Sequence, residues 1–417
     1  MSDTDELFYN PLAPGYVADP FPHLAELREH EPVHQTLMGP WVVFRHADVF
    51  ALLRDPSTSV DPRNVADDAR AQAISRMAVE EGVELTGPNS SILNTDPPDH
   101  TRLRRLLATA FTPRTIEGLR PVVQRLVDAA LDQMADRAAG GDTVDLVGEL
   151  AFPLPFDVIS EMLGMPDADK LQIRGWSEAV VKMLDAVITD DDVRAALRAN
   201  RELDAHLSGV LDWKRANPGD DLLTLLIDAE HEGDRLSADE LRDQVALLFI
   251  AGHETTVNLI GTGTYELLRR PDQAARWRAD PDLAPRAVDE LLRFVAPVQF
   301  SRRITLTDTT IGGRTVPAGS FVLACLASAN RDPEVFGPTA DELDLGRADA
   351  SSHLSFGSGT HYCLGASLAK LEARVAIGSF LRRFPTARLA GEPTWNGRTN
   401  LRGLSTLPVE LVPDPPG

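Results

Sequence analysis

SFGSGTHYCLG, residues Ser355 to Gly365, sets one of the chain's two cysteines among three glycines and two places after a histidine. Glycine tolerates unusual φ angles and lets the backbone approach a flat or bulky group closely. The residues that follow, LGASLAKLEARVAIGSFLRRFP, carry Leu364, Leu368, Leu371 and Val375 at helical spacing. Cys363 therefore stands at a helix N-terminus, where the macrodipole and unpaired N–H groups favour a thiolate. Three chemistries compete for it. A free cysteine is most often buried and inert. A nucleophilic cysteine needs a histidine base, and His361 is only two residues away, whereas such pairs normally come from distant parts of a chain. A metal thiolate is the third; zinc asks for three or four protein ligands, and one Cys with one His falls short.

Composition narrows the setting. The 417 residues are 43% hydrophobic, 25% charged and 6% aromatic, with a formal net charge of -22. Such acidity repels phosphate and argues against nucleic acid as a partner, and equally against an anionic membrane surface. Its plainest use is solubility. Against this background the basic run HTRLRRLL, His100 to Leu107, stands out. The first residues show no apolar run with basic flanks, and no stretch approaches the roughly 20 uninterrupted apolar residues of a bilayer span. Two cysteines make no disulfide framework and suit a reducing compartment. The expectation is a cytoplasmic protein without a membrane anchor.

Helical periodicity dominates, with no repeat, low-complexity tract or linker to divide the chain. PFPHLAELREHEPVH reads as a helix stopped before Pro32, and VVFRHADVFALLRDP as a strand, a turn and a helix. Amphipathic stretches run from about Thr101 to Arg270. TTIGGRTVPAGSFVLAC sets turn glycines between β-branched runs, and NLRGLSTLPVELVP looks like a hairpin. The fold class expected is mainly α with small β-sheets, in a single domain over 1–417. Its helix-rich core falls at about 98–295 and 364–384, and its β-rich portions at about 33–60, 299–327 and 385–412.

The most informative helix begins at Ser237, whose partner Glu240 completes a capping box. Periodic residues continue to Arg269 and Arg270, and Pro271 stops them. That is about 34 residues, or roughly 50 Å at about 1.5 Å per residue. Its middle, VALLFIAG, is apolar on every face, which predicts burial. At its centre sits AGHETT, Ala251 to Thr256. Gly252 weakens a helix by about 1 kcal/mol relative to Ala, Thr hydroxyls bond carbonyls one turn back, and Glu254 is costly to bury alone. The stretch is either a kink with a satisfied Glu or a helix opened to face something polar.

A single axial thiolate suits haem iron. Haem also demands cations for two propionates and a flat apolar slot. His100 and Arg104 lie four apart on one helix face. Arg303 lies in the strand-like SRRITLTD, and His361 is beside the cysteine.

Together these features are recognisable. FGSGTHYCLG resembles the haem-binding signature of cytochrome P450, F-G-x-G-x-H-x-C-x-G, at every defined position. AGHETT is similar to the oxygen-activating stretch of the family's long central helix. ELLR, Glu290 to Arg293, fits its E-x-x-R pair, whose Arg bonds the loop before the haem cysteine. DPPDHTRLRRLLATAFTP resembles the bacterial helix that meets the propionates, so the resemblance covers nearly the whole chain and points to the long-helix-over-haem fold of the bacterial class. It implies haem b (iron protoporphyrin IX) with Cys363 as proximal ligand. Phe356 would shield the sulfur, with Gly357, Gly359 and Gly365 shaping the turn, and Ala251 would lie against the ring. His100, Arg104, Arg303 and His361 would hold the propionates; Arg303 is preferred to Arg302 because it stands five before Asp308 and ten before Gly313. Glu254 and Thr255 would be the acid–alcohol pair that delivers protons.

The activity implied is a monooxygenase that hydroxylates or epoxidises a hydrophobic small molecule, in bacterial secondary or lipid and terpenoid metabolism. O2 is the co-substrate. Electrons would come from a ferredoxin and an NAD(P)H-dependent ferredoxin reductase, with Arg102, Arg105 and Arg114 as a docking patch or as solvated surface charges. A monomer is expected. Substrate contacts are expected around Ser90 to Leu93 (Leu93 above all), over Leu171 to Arg198, and at Leu247, Leu248, Val298, Gln299, Phe300, Leu404 and Ser405. A peroxygenase, a haem-based sensor and a cysteine hydrolase are the alternatives. Glu254 with Thr255 argues against the first two, and the absence of a nucleophile elbow argues against the third. Cys325 and His253 read as packing residues.

Overall fold

In the computed structural model the helix Ala238–Leu268 runs through the centre of the molecule as an unbroken α-helix of 31 residues. The structure describes residues 7–66, 69–83, 91–109, 111–166, 170–228, 230–231 and 234–411; Ser90 lies outside them. Ser237 caps the helix as expected, accepting from Glu240 N–H while the Glu240 carboxylate accepts from Ser237 N–H. Among the described residues it is the one helix long and apolar enough to cross a membrane, yet 67% of its most apolar window is buried inside the protein.

The expectation of burial on every face needs correction. Leu247, Ala251 and Thr255, four apart, are partly buried, exposed and partly buried, while Val245, Leu248, Phe249 and His253 are buried. One stripe of this core helix is thus less buried than the rest. Gly252 does not break the helix, and a Cβ there would make only ordinary contact with Ile159.

Around this axis pack Arg120–Ala139, Pro153–Leu163, Asp190–Ala216, Ala284–Val295 and Ala366–Arg383, which share one large core. The main sheet runs in the spatial order Val33–Gln35, Trp41–Val43, Phe321–Cys325, Phe300–Thr305, Thr58–Ser59. Only the second pair of neighbours in it is parallel. It draws on two of the three β-rich portions, the first of which also holds the helix His46–Arg54. The final segment is not a hairpin. Leu404–Thr406 pairs with Thr394–Trp395, whereas Pro408–Glu410 pairs with Arg388–Leu389 and Val144–Asp145. Leu407 alone separates the two strands, one residue fewer than the shortest common hairpin turn.

The E-x-x-R pair is a structural knot. Arg293 is fully buried, and its Nε and Nη2 donate to the Glu290 carboxylate at 2.7 and 2.8 Å. The remaining N–H groups donate to the carbonyls of Asn330 (2.9 Å), Ala340 (2.6 Å) and Glu342 (2.8 Å). Arg347, which the sequence reading did not single out, brings its Nε to the same carboxylate at 3.1 Å. Removing one partner of a buried, hydrogen-bonded ion pair typically costs about 3–5 kcal/mol. Arg293→Ala should therefore lose about 3–5 kcal/mol in urea unfolding; a loss below about 1 kcal/mol would show the knot to be dispensable.

Candidate functional site

The cysteine loop is built by the knot. Asn330, whose carbonyl takes Arg293, also accepts Leu354 N–H at Oδ1 (2.6 Å) and donates through Nδ2 to Ser355 Oγ (2.8 Å). Ser355 Oγ in turn donates to the Leu292 carbonyl at 2.7 Å. From this anchor the chain turns through Gly357 and Gly359, at φ +70° and +71°, which lie in the left-handed region that favours glycine. A Cβ at Gly359 would stand 2.9 Å from the Leu53 carbonyl. The loop closes where Cys363 N–H donates to the Phe356 carbonyl at 2.9 Å. The Phe356 ring packs against His353 and Tyr362.

Cys363 precedes the helix Ala366–Arg383 by three residues, so the predicted helix start is present. The predicted thiolate is not simply a product of it. Burial among protein atoms pushes the thiol up from its ordinary range, and the backbone N–H groups of Gly365 and Ala366 with the nearby Arg104 offset only part of that. The side chain is nonetheless solvent-accessible, unlike buried Cys325, whose thiol burial pushes up to about 12. A metal cation at the sulfur would favour the thiolate further.

Four residues from distant parts of the chain converge beside it. Arg104, on the helix Asp99–Ala108, donates Nη2 to the Tyr362 carbonyl at 2.6 Å and lies within electrostatic reach of Cys363. The rings of His100 and His361 lie 4.2 Å apart. Burial, then His100, Arg303 and Arg104, push His361 down to about 3, with the Ile92 backbone opposing. Burial and Arg104 push His100 down to about 4. His100 is 1% exposed, and neither of its ring nitrogens has a hydrogen-bond partner. Burial takes Arg303 down to about 10; it donates to the carbonyls of Arg302 (2.7 Å) and Leu53 (3.2 Å). Arg302 instead donates to Asn94 Oδ1. Of the two arginines, Arg303 is the one within electrostatic reach of His361.

On the central helix, Thr255 Oγ1 donates to the Ala251 carbonyl at 3.1 Å and Thr256 Oγ1 to that of Gly252 at 3.3 Å, the back-bonding expected of mid-helix threonines. Glu254 is buried and well partnered. Its Oε1 accepts from Ser177 Oγ (3.3 Å) and lies 3.5 Å from His253 Nε2, while Oε2 takes Arg398 Nη1 at 3.2 Å. Burial alone would raise its carboxyl; His253, Arg398 and Ser177 outweigh that and hold it below the usual range. His253 packs among Phe152, Phe156 and Phe249 and donates Nδ1–H to the Phe249 carbonyl, in keeping with its reading as a packing residue. Arg398 escaped the sequence reading, since nothing local marks a loop arginine more than 140 residues from its partner.

The expected substrate residues divide. Leu93 is exposed and Leu247 partly so. Leu248 is buried in the core, and Leu404 is buried beside Glu254, Ser405 and Arg398. Val298 is partly buried and bridges Leu401. Gln299 is buried, its N–H donating to the Asn400 carbonyl. Phe300 corrects the expectation most: it packs with Tyr9, Tyr16 and Phe44 in a separate N-terminal cluster, because strand alternation turns it to that face. Arg102 likewise is not an open surface charge, as it pairs with Glu240; Arg105 and Arg114 are exposed.

A family model, Cytochrome P450, matches residues 65–409. The chain belongs to the cytochrome P450 family. It is 40% identical over 407 residues to cytochrome P450 107B1 of Saccharopolyspora erythraea, spanning 95% of this chain and 96% of that one. It is 41% identical to the cytochrome P450 monooxygenase PikC of Streptomyces venezuelae, spanning 95% and 92%. The solved structure of PksS, a cytochrome P450 of the Bacillus subtilis bacillaene polyketide synthase, superposes with a TM-score of 0.85 at 35% identity, covering 97% of this chain and 100% of that one. This P450 is thus a monooxygenase, an oxidoreductase that incorporates O2, and its cofactor is haem b.

The residues present fit that cofactor. The P450 offers one accessible thiol on a glycine turn, and the described residues hold no cluster of three or more His, Cys, Asp or Glu that could bind another kind of metal centre. Beside the thiol are two arginines and an unpartnered buried histidine, donors suited to carboxylates.

The histidine pair makes stability pH-dependent. Both residues have folded values far below their ordinary 6.5. The unfolded chain therefore binds protons first, and stability present above about pH 6.5 is lost as pH falls toward about 4 and then about 3. In the haem-free protein, urea midpoints should fall over this window and His100→Gln should flatten the fall. Bound propionates beside the rings should flatten it too.

Proposed function

We propose that this P450 hydroxylates or epoxidises a hydrophobic small molecule, with Cys363 as iron ligand and His100, Arg104, Arg303 and His361 as propionate partners. The reading is carried by the convergence of those four side chains, from three separate segments, beside one accessible cysteine on a glycine turn. In the overall reaction a substrate C–H bond, O2, two electrons and two protons become an alcohol and water. Haem held by Cys363 supplies the reductive activation of O2. Phe356, Gly357 and Gly365 shape the loop around the sulfur, and Ala251, exposed on the central helix, would face the haem.

The chain's own work is to bind, orient and move protons. Arg104 and Arg303 would neutralise the two propionate charges, and His100 would donate a ring N–H to one of them. Thr255, which is partly exposed, would present its hydroxyl toward the dioxygen that haem activates. Glu254, one residue earlier and joined to a polar cavity, passes protons toward that hydroxyl. The partly open stripe of Leu247 and Ala251, with Leu93, meets an apolar substrate. The likeness to PksS favours a polyketide-like substrate among the open classes, which include terpenoids, steroids and fatty acids. Electrons come from outside, since the sequence carries no flavin or iron–sulfur motif. A ferredoxin reduced by an NAD(P)H-dependent reductase suits the exposed Arg105 and Arg114 on and just after the helix that touches the cysteine loop, and acidic partners are steered by such a patch.

Two measurements test this. Purified, haem-loaded protein should show the long-wavelength ferrous–carbonyl absorbance, and Cys363→Ala should abolish it; persistence of the band in the variant would falsify the ligand assignment. Thr255→Ala should lower product formed per NAD(P)H by about tenfold or more while hydrogen peroxide rises. Unchanged coupling would remove Thr255 from proton delivery. Substrates for that assay come from titrating a compound library and following the spin-state shift.

A further inference from the structure

Asp289 stands one residue before Glu290 on the helix Ala284–Val295, yet none of the Arg293 or Arg347 hydrogen bonds goes to it. Its carboxylate turns to the cysteine loop instead. Oδ1 lies 2.7 Å from Lys370 Nζ, on the helix Ala366–Arg383 that follows the cysteine, and 3.8 Å from Nε2 of His353, just before the loop. One carboxylate thus joins the helix that starts the knot, the entry to the loop and the helix beyond it. The His353 side chain is 4% exposed, and its Nδ1 accepts the Ser355 N–H at 3.1 Å. A ring nitrogen that accepts carries no proton, so the neutral imidazole has its N–H at Nε2, on the side of Asp289. That Nε2 has no hydrogen-bond partner.

Both groups beside Asp289 also flank Phe356, the ring expected to shield the sulfur. The His353 and Phe356 ring centroids lie 5.7 Å apart, and Lys370 Nζ lies 5.6 Å from the centre of the same ring. Phe356 is in turn fixed to the cysteine through its carbonyl, which accepts Cys363 N–H. The phenol of Tyr362, next to Cys363 in the chain, is raised by burial first and then by both Cys363 and Asp289, so the carboxylate acts electrically on the immediate surroundings of the sulfur. Burial alone would raise the Asp289 carboxyl; His353 and Lys370 outweigh it and hold the group below its usual range. Burial pushes His353 down, Lys370 and Arg293 push the same way, and Asp289 opposes them. Asp289 and Lys370 are 18% and 27% exposed, so water screens their charges only in part.

We propose that Asp289 is a positioning residue that holds His353 and Lys370 against Phe356, and that its charge, set against that of Lys370, tunes how readily the haem iron is reduced. This rests on Cys363 as the iron ligand. Reduction adds one negative charge at the iron and its thiolate. Unbalanced positive charge behind the cysteine loop therefore favours the reduced form, and unbalanced negative charge opposes it. With the pair intact the two contributions largely cancel. The pair makes opposite demands of its two members: loss of Asp289 should ease reduction, and loss of Lys370 should hinder it.

The test titrates haem-loaded wild type, Asp289→Asn, Lys370→Met and the double variant with dithionite against indicator dyes. Asp289→Asn should raise the equilibrium constant for reduction about threefold or more, which is about 30 mV at about 59 mV per tenfold for one electron. Lys370→Met should lower it by a similar factor, and the double variant should return close to wild type. A purely structural carboxylate would change unfolding midpoints without this pattern of signs. Amide exchange at Ser355 to Gly357 in the haem-free protein should also rise about threefold or more in Asp289→Asn, as His353 loses its support. Shifts of one sign in both single variants, no shift in either, or unchanged exchange would each overturn the proposal. If wild type lacks the long-wavelength ferrous–carbonyl absorbance, the ligand reading fails and this proposal falls with it; if the absorbance is present and the potentials stay put, this proposal falls alone. Should Asp289→Asn not fold, Lys370→Met and the charge-conserving Asp289→Glu decide: the first must hinder reduction and the second must leave it near wild type.

Discussion

Arg293 has no water to turn to, and that constraint organises the half of the molecule that carries the cysteine. A guanidinium buried at 0% exposure must place its N–H groups on acceptors or cost several kcal/mol. It does so on Glu290 and on three carbonyls of the segment that leads to the cysteine loop. Asn330 passes the constraint on to Ser355, from which the glycine turn begins. The position of Cys363 relative to the central helices is thus set by hydrogen-bond satisfaction rather than by apolar packing alone. Arg347 adds a second cation on the same carboxylate and closes the segment upon itself through the carbonyls of Phe336 and Thr339.

The electrostatics around the cysteine run against the protein as a whole. The chain carries a formal charge of -22. Yet the cluster beside Cys363 is made of two arginines and two histidines, and its histidines are pushed down by burial and by neighbouring charges, Arg104 acting on both. Such a cluster is unfavourable by itself and becomes favourable around an anion, which fits the dianionic edge of haem b. Glu254 shows the opposite balance. Its burial cost is offset by partners from its own helix and two other elements, so it stays charged inside the protein.

Much of this was readable along the chain because its decisive elements are local. The capping box at Ser237, the back-bonded threonines and the glycine turn each involve residues within a few positions of one another, and all appear as the sequence leads one to expect. Phe300 failed because alternation decides which face a strand residue takes, and only the partner strand shows which face is lined by the N-terminal aromatics. Leu404–Thr406 and Pro408–Glu410 failed as a hairpin because their partners lie elsewhere in the chain. The middle of the central helix, VALLFIAG, is apolar on every face, and that pattern does not show which of its residues are less buried.

The sequence alone determined the helical class, the family and the capped central helix, and it offered the residues proposed to serve iron, propionates and protons, since each rests on residue type at short spacing. Tertiary structure decided that Arg303 rather than Arg302 joins the histidines, that Arg102 is taken up by Glu240, and that Arg398 holds Glu254. These are choices among chemically equivalent arginines. Coulomb energy and burial depend on distance in space, which separation along the chain does not encode.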